Sequence, residues 1–190
     1  IQSTCTKAAR GAGFSWGMAE DAGLAVRNLE AHGLPGAQAL ASLLDSPYAK
    51  ARDRTGVPGC GLAALVDLSD APPVVAGQFG PMAAPLLLVA PCLMMAQTGC
   101  GWRVEWRGGA AHCSVSGVKV TGQPAPLVAD WVSVARTATP EASATAPDWR
   151  SRDIPPDTWS LLEALAARTY VPDSDTSRAL GAGPGAADAD

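Results

Sequence analysis

The sequence predicts an α+β fold, an antiparallel sheet with helices packed on one of its faces, and three observations carry that reading. Trp102, Val104 and Trp106 alternate with Arg103, Glu105 and Arg107 ahead of a Gly108-Gly109 pair, the pattern of a half-buried strand running into a hairpin. Apolar residues recur at helical spacing near both chain ends, and each such stripe needs a surface to cover. The 190 residues are enough to bury a core without disulfides or metal. They are expected to form a single domain, with a helical part over 1–50, a sheet-forming middle over 60–136, and a helix plus glycine-rich tail over 154–190.

From the N-terminus, Ile1 to Arg10 reads as the end of a helix. Ser15 caps a second helix reaching about His32, because Met18, Ala22, Ala25, Val26 and Leu29 share one face while Glu20 and Asp21 sit near the positive end. Gly33 suits a left-handed stop, with Leu34 set to contact Leu29 and Pro35 preventing continuation. Ala37 to Leu44 offers a third helix. Cys60 to Leu68, strand or helix, and Val74 to Phe79 read as short buried segments. Pro85 to Gln97 is helical for part of its length, apolar all round from Leu86 to Met95, and closed by Gly99 and Gly101.

In the hairpin, treating Gly108-Gly109 as the loop pairs Trp106 with Ala111, Val104 with Cys113 and Trp102 with Val115, and sets Glu105 opposite His112. Burial of Trp102, Val104 and Trp106 is the condition on which this fold class rests. Val118 to Thr121 and Val128 to Ala135 extend the sheet. Thr137 to Asp153, polar and containing Pro140 and Pro147, reads as a surface linker. The last helix spans Pro156 to Tyr170 with Trp159, Leu162 and Leu165 inward, and Asp173 to Asp190 has the composition of a tail.

Composition narrows the function classes. The formal net charge of −4, from 14 basic and 18 acidic residues, argues against nucleic acid as a partner, which needs a net supply of Lys and Arg on one face. No membrane association is expected either: the longest apolar stretch, Met82 to Ala96, is interrupted by Pro85 and Pro91 and falls short of the roughly 20 residues a spanning helix needs. The 37 alanines and 11 arginines against 3 lysines and 2 isoleucines resemble the usage of GC-rich bacterial genomes. Cys5, Cys60, Cys92, Cys100 and Cys113 are odd in number and form no CxxC pair, which points to free thiols in a reducing cytoplasm. With His32 and His112 as the two imidazoles, a metal site built on several of them is excluded, and no metal or other cofactor is implied.

Two blocks carry a family resemblance. KAARGAGFSWGMAEDAGLAVRNLEAHGLPG, from Lys7 to Gly36, and RTYVPDSDTSRALGAG, from Arg168, resemble the N-terminal and C-terminal signatures of a bacterial family of unknown function, domain of unknown function 3726. The resemblance supplies no mechanism; it implies a cytoplasmic bacterial protein of metabolic rather than regulatory character.

The first block holds the leading chemical candidate. Arg10-Gly11-Ala12-Gly13-Phe14-Ser15-Trp16-Gly17 leads into a capped helix, and backbone N–H groups at such a start hold a carboxylate or phosphate. Gly13 and Ser15 would shape that cradle, Arg10 would clamp the anion, Trp16 would cover it, and Glu20 would act as acid or base. The competing structural reading is that three glycines merely allow a tight turn between helices. In the second block, Tyr170, Ser174, Ser177, Arg178 and Gly183 could line the same ligand from a closing tail, or the tail could fill a groove or reach a neighbouring subunit. Cys60, between Gly59 and Gly61, is a candidate nucleophile set against the reading of an inert buried thiol. His112 with Glu105 reads as a solvated cross-strand pair, and His32 as a partner of a helix C-terminus.

Two functional expectations follow. One is an enzyme or enzyme subunit acting on a small carboxylate-bearing metabolite held at the glycine-rich helix start and closed over by the tail. The other is a non-catalytic binding or assembly module whose signature blocks pack against a partner subunit, the same chain or another. The two blocks are further expected to meet in space, either through Arg10 and Arg178 converging on a ligand or through Asp188 or Asp190 on the N–H groups of the Gly13 to Gly17 turn.

Overall fold

The computed structural model describes residues 1–50, 59–73, 76–137 and 153–170. Three helices open the chain: α1 (Gln2–Gly11), α2 (Trp16–Ala31) and α3 (Gly36–Asp45), followed by a 3-10 turn over Pro47–Lys50. The joints between them are built alike. At the end of α1, Gly13 takes φ +101°, its N–H reaches the Arg10 carbonyl at 2.9 Å, and the Phe14 N–H reaches Ala9 at 3.2 Å. At the end of α2, Gly33 takes φ +72° while its N–H and that of Leu34 reach Glu30 and Leu29 at 3.0 and 2.9 Å. Each is a Schellman stop, which needs a residue without a Cβ penalty in the left-handed region. Ser15 caps α2 as expected, its hydroxyl accepting the Met18 N–H at 3.4 Å.

The α1 helix packs on α2 and on α6 (Pro156–Ala167) at distances that only glycine allows. A Cβ on Gly11 would run into the Leu165 carbonyl of α6, and one on Gly23 would meet the Thr6 hydroxyl and, at 2.8 Å, the Gln2 carbonyl. Small buried residues on α1, Cys5, Ala8 and Ala9, complete this close seam.

The main sheet is antiparallel throughout, in the order β2 (Ala76–Phe79), β8 (Val132–Thr137), β4 (Gly101–Trp106), β5 (Gly109–Ser114), β6 (Gly117–Gly122). Trp102, Val104 and Trp106 are all buried on its inner face, and α5 (Val89–Ala96) covers β4 and β5 there. The fold is therefore α+β with helices against one sheet face. A second, small sheet joins β1 (Gly59–Cys60), β3 (Met82–Ala83) and β7 (Val128–Ala129), its β1–β3 pair parallel. Residues 61–70 settle as the helix α4, and a 3-10 turn over Pro85–Leu88 leads into α5.

Three expectations are corrected. The hairpin register is shifted by two residues: Trp106 faces Gly109, Val104 faces Ala111 and Trp102 faces Cys113, so His112 lies opposite Arg103 rather than Glu105. Gly109 lies in the strand, paired with Trp106 and Gly122, and the position needs glycine: a Cβ would strike the Gln123 carbonyl and lie 2.7 Å from the Trp106 indole nitrogen, which itself donates to that carbonyl at 3.1 Å. A two-residue shift keeps every side chain on its face, which is why the buried set was still legible. The Val74 to Phe79 segment is not buried where described: β2 is an edge strand of alternating exposed and half-buried residues. Val128 to Ala135 is not one strand, since β7 leaves to pair with β3 and β8 begins at Val132. Most of the expected linker and the whole tail beyond Tyr170 lie outside the described residues.

None of the five cysteines is in a disulfide, and four are buried, with Cys100 half-buried at the start of β4. Burial pushes the Cys5 and Cys113 thiols up to about 12 and the Cys92 thiol well above its usual value. A thiol whose pKa is raised on folding stabilises the protein fully below its ordinary value of 9.0, and that contribution is lost as pH climbs towards about 12. Thermal melts should therefore drop in midpoint across this alkaline window, and Cys113→Ala should flatten the drop. Gly11→Ala should cost about 1–3 kcal/mol in urea unfolding, the usual penalty of forcing atoms into a packed contact.

Candidate functional site

The surface where α1 hands over to α2 gathers the residues singled out in the first block. Arg10, in the last turn of α1, donates to the Phe14 carbonyl at 2.9 Å, and its guanidinium carbon lies 5.4 Å from the centre of the Trp16 ring. This is cation–π range, so Arg10 is held in place from two sides. Phe14 is buried beneath and anchors the loop as the apolar residue ahead of the cap. Trp16 is 56% exposed, and Glu20, one helical turn further along α2, is also exposed.

Backbone donors divide into spent and available groups. The N–H groups of Ala12, Gly13 and Phe14 go to carbonyls of α1, and that of Met18 goes to Ser15. Gly13 and Ser15 are thus occupied in stopping one helix and capping the next. Trp16 and Gly17 lie in the first turn of α2, where an N–H has no intrahelical acceptor. Gly17 differs from the other glycines of this region. Its φ is not positive, and a Cβ built on it meets nothing within 4 Å. Neither turn geometry nor packing asks for glycine there, and the open backbone stands beside Trp16 and the N-terminal end of a 16-residue helix.

The second block reaches the same helix as far as it is described. Lys7 donates to the Tyr170 hydroxyl at 3.4 Å and lies 5.0 Å from its ring centre, and the Cβ of Arg168 lies 3.4 Å from where a Gly11 side chain would begin. Tyr170 is 62% exposed. Lys7 and Arg10, one turn apart on α1, each face an exposed aromatic ring. Neither Lys7 nor Arg168 was singled out from the sequence, although the three-residue spacing of Lys7 and Arg10 places them on one helical face. Arg178, Gly183, Ser174, Ser177, Asp188 and Asp190 lie outside the described residues.

The remaining candidates fall elsewhere. Cys60 is 3% exposed at the junction of β1 and α4. His32 bonds the Asn28 carbonyl at 2.7 Å, as a histidine at a helix end should. His112 meets Thr121 at 3.4 Å, and Glu105 pairs with Arg103 at 3.1 Å. Among carboxyls near the loop, burial lifts Asp21 above its ordinary range, assisted by the charges of Asp70 and Glu20. Among the described residues no group of three His, Cys, Asp or Glu side chains could hold a metal ion, and no helix is long and apolar enough to cross a membrane.

Residues 1–70 match the model of a family described as a protein of unknown function, DUF3726, a span that contains α1 to α4 and the entire Arg10 to Gly17 loop. Neither a curated protein nor a solved structure matches the chain.

Proposed function

We infer that this protein binds a small carboxylate-bearing metabolite at the α1–α2 face, as an enzyme or enzyme subunit of the bacterial cytoplasm. The observation that carries the reading is Gly17, a glycine without a conformational or packing reason, set next to a guanidinium stacked on an exposed indole. Glycine loses more backbone freedom on folding than alanine does, so bare backbone at a position that does not require it supports close approach by a ligand. Arg10, already braced by the Phe14 carbonyl, keeps further guanidinium N–H groups for a carboxylate, and Trp16 offers a flat surface to the ligand's body. Lys7 and Tyr170 extend the same surface towards the C-terminal block. Glu20, exposed and one helical turn from Trp16, is the candidate for any proton transfer, whereas Cys60 is buried at the junction of β1 and α4.

A second reading has its own support in the exposure of Trp16 and Tyr170, since exposed aromatics also suit a partner subunit. Size-exclusion chromatography of the full chain separates the two: a stable assembly that Trp16→Ala dissolves would favour the partner.

Titration calorimetry with succinate, citrate and related acids should detect binding that Arg10→Ala weakens about tenfold or more, the effect of losing a charged hydrogen bond. Gly17→Ala should raise stability by up to about 1 kcal/mol in urea unfolding while it weakens the same ligand. Absence of binding across the acid series, or a Gly17→Ala protein that binds unchanged, would remove this reading.

A further inference from the structure

We propose that the outer face of the main sheet holds a second site, for a neutral sugar ring, independent of the α1–α2 face. The register lays Glu105, Ala110 and Thr121 in one row across β4, β5 and β6, with Arg103 one row away on the same face. Ala110 and Gly109 form a low floor, and around it Arg103, Glu105, Arg107, Thr121 and Trp131 wall an open trough of about 480 Å³. This volume lies in the range of small-molecule sites, roughly 300–1,000 Å³.

Charge decides the ligand class. Arg103 binds Glu105 at 3.1 Å and Arg107 binds Asp130 at 2.9 Å, and both arginines line this trough. Each cation in the wall is thereby neutralised by its own acid, so the trough makes no demand for a charged ligand. Exposed pairs of this kind contribute little to stability. They do present a guanidinium N–H next to a carboxylate oxygen, a donor beside an acceptor. A hydroxyl group is both at once and satisfies such a pair, whereas a phosphate would have to displace the carboxylates first. Thr121 adds a hydroxyl that rests at 3.5 Å on the Ala110 carbonyl and 3.4 Å from His112 and keeps acceptor capacity, and the half-buried Trp131 indole adds an apolar surface for a ring's C–H face. Lys119 and His112 occupy the neighbouring row, outside the trough lining. A neutral polyhydroxylated ring is the ligand that uses every wall.

The test is saturation-transfer NMR on the full chain with glucose, galactose, mannose and maltose, with inorganic phosphate as competitor. At least one sugar should show saturation of its ring protons, unaffected by phosphate. Glu105→Gln and Trp131→Ala, both at half-buried positions, should each weaken that sugar about tenfold, while Trp131→Phe retains it and circular dichroism reports an intact fold. Thr121→Val gives a further weakening should Trp131→Ala disturb the sheet. No saturation with any of the four sugars, binding unchanged in both Glu105→Gln and Thr121→Val, or displacement of the sugar by phosphate would each overturn the proposal. Arg10→Ala should leave the sugar signal untouched, which keeps this outcome separate from that at the α1–α2 face.

Discussion

The close approach of α1 to α2 and α6 is the contact on which the rest of the described structure depends. Gly11 lets the Leu165 carbonyl come within the space a side chain would fill, and Gly23 does the same for Thr6 and the Gln2 carbonyl. Backbones this near allow small residues such as Ala8 and Ala9 to fill the seam without voids. The consequence is topological as well as energetic. A helix from the start of the chain is clamped to one more than 150 positions later in sequence, so that Lys7 and Tyr170, 163 residues apart, share a hydrogen bond. The meeting of the two signature blocks, as far as they are described, is produced by this glycine contact rather than by direct attraction between their functional side chains.

The sheet solves a different problem. Its inner face must be covered, because Trp106, Val104 and Trp102 would otherwise expose large apolar area. The apolar all-round sequence of α5 supplies the cover, lying between the sheet and the N-terminal helices and touching α2 and α4 on its other side. One core thus serves both layers. The outer face, relieved of any packing duty by described elements, carries charged and hydroxyl side chains, and its chemistry is set by cross-strand register alone.

How much of this was legible in the sequence depended on how local each determinant is. The cap at Ser15 and the stop at Gly33 act within five residues of themselves, and both were read correctly. The alternation of Trp102 to Arg107 specified its buried face for the same reason. The hairpin register was missed because Gly109 is claimed by Gln123, a residue on the far side of β6, and nothing within the hairpin records that claim. Val128 to Ala135 was read as one strand because only a distant partner, β3, pulls its first two residues away. At the candidate site, Arg10, Trp16 and Gly17 were visible as a motif. Their separate duties were not: sequence alone shows three glycines between Arg10 and Met18, and only packing distinguishes the one pressed on α6, the one that stops a helix, and the one with open space beside it.

That distinction bears on function more than any single distance does. A glycine held against a neighbouring backbone, or forced to positive φ, is explained by the fold, and its replacement is opposed by stability itself. Gly17 has no such defence, because alanine would fit and would favour the helix. A residue that weakens its own helix without relieving strain elsewhere is the pattern expected where binding, rather than folding, sets the choice. The neighbours of Gly17 agree with this in their chemistry. Arg10 is braced by the Phe14 carbonyl so that little further side-chain entropy is lost on engaging an anion, and Trp16 remains more than half exposed despite lying two positions from a buried phenylalanine. Rigid donor, flat apolar face and bare helix start therefore converge at one surface point.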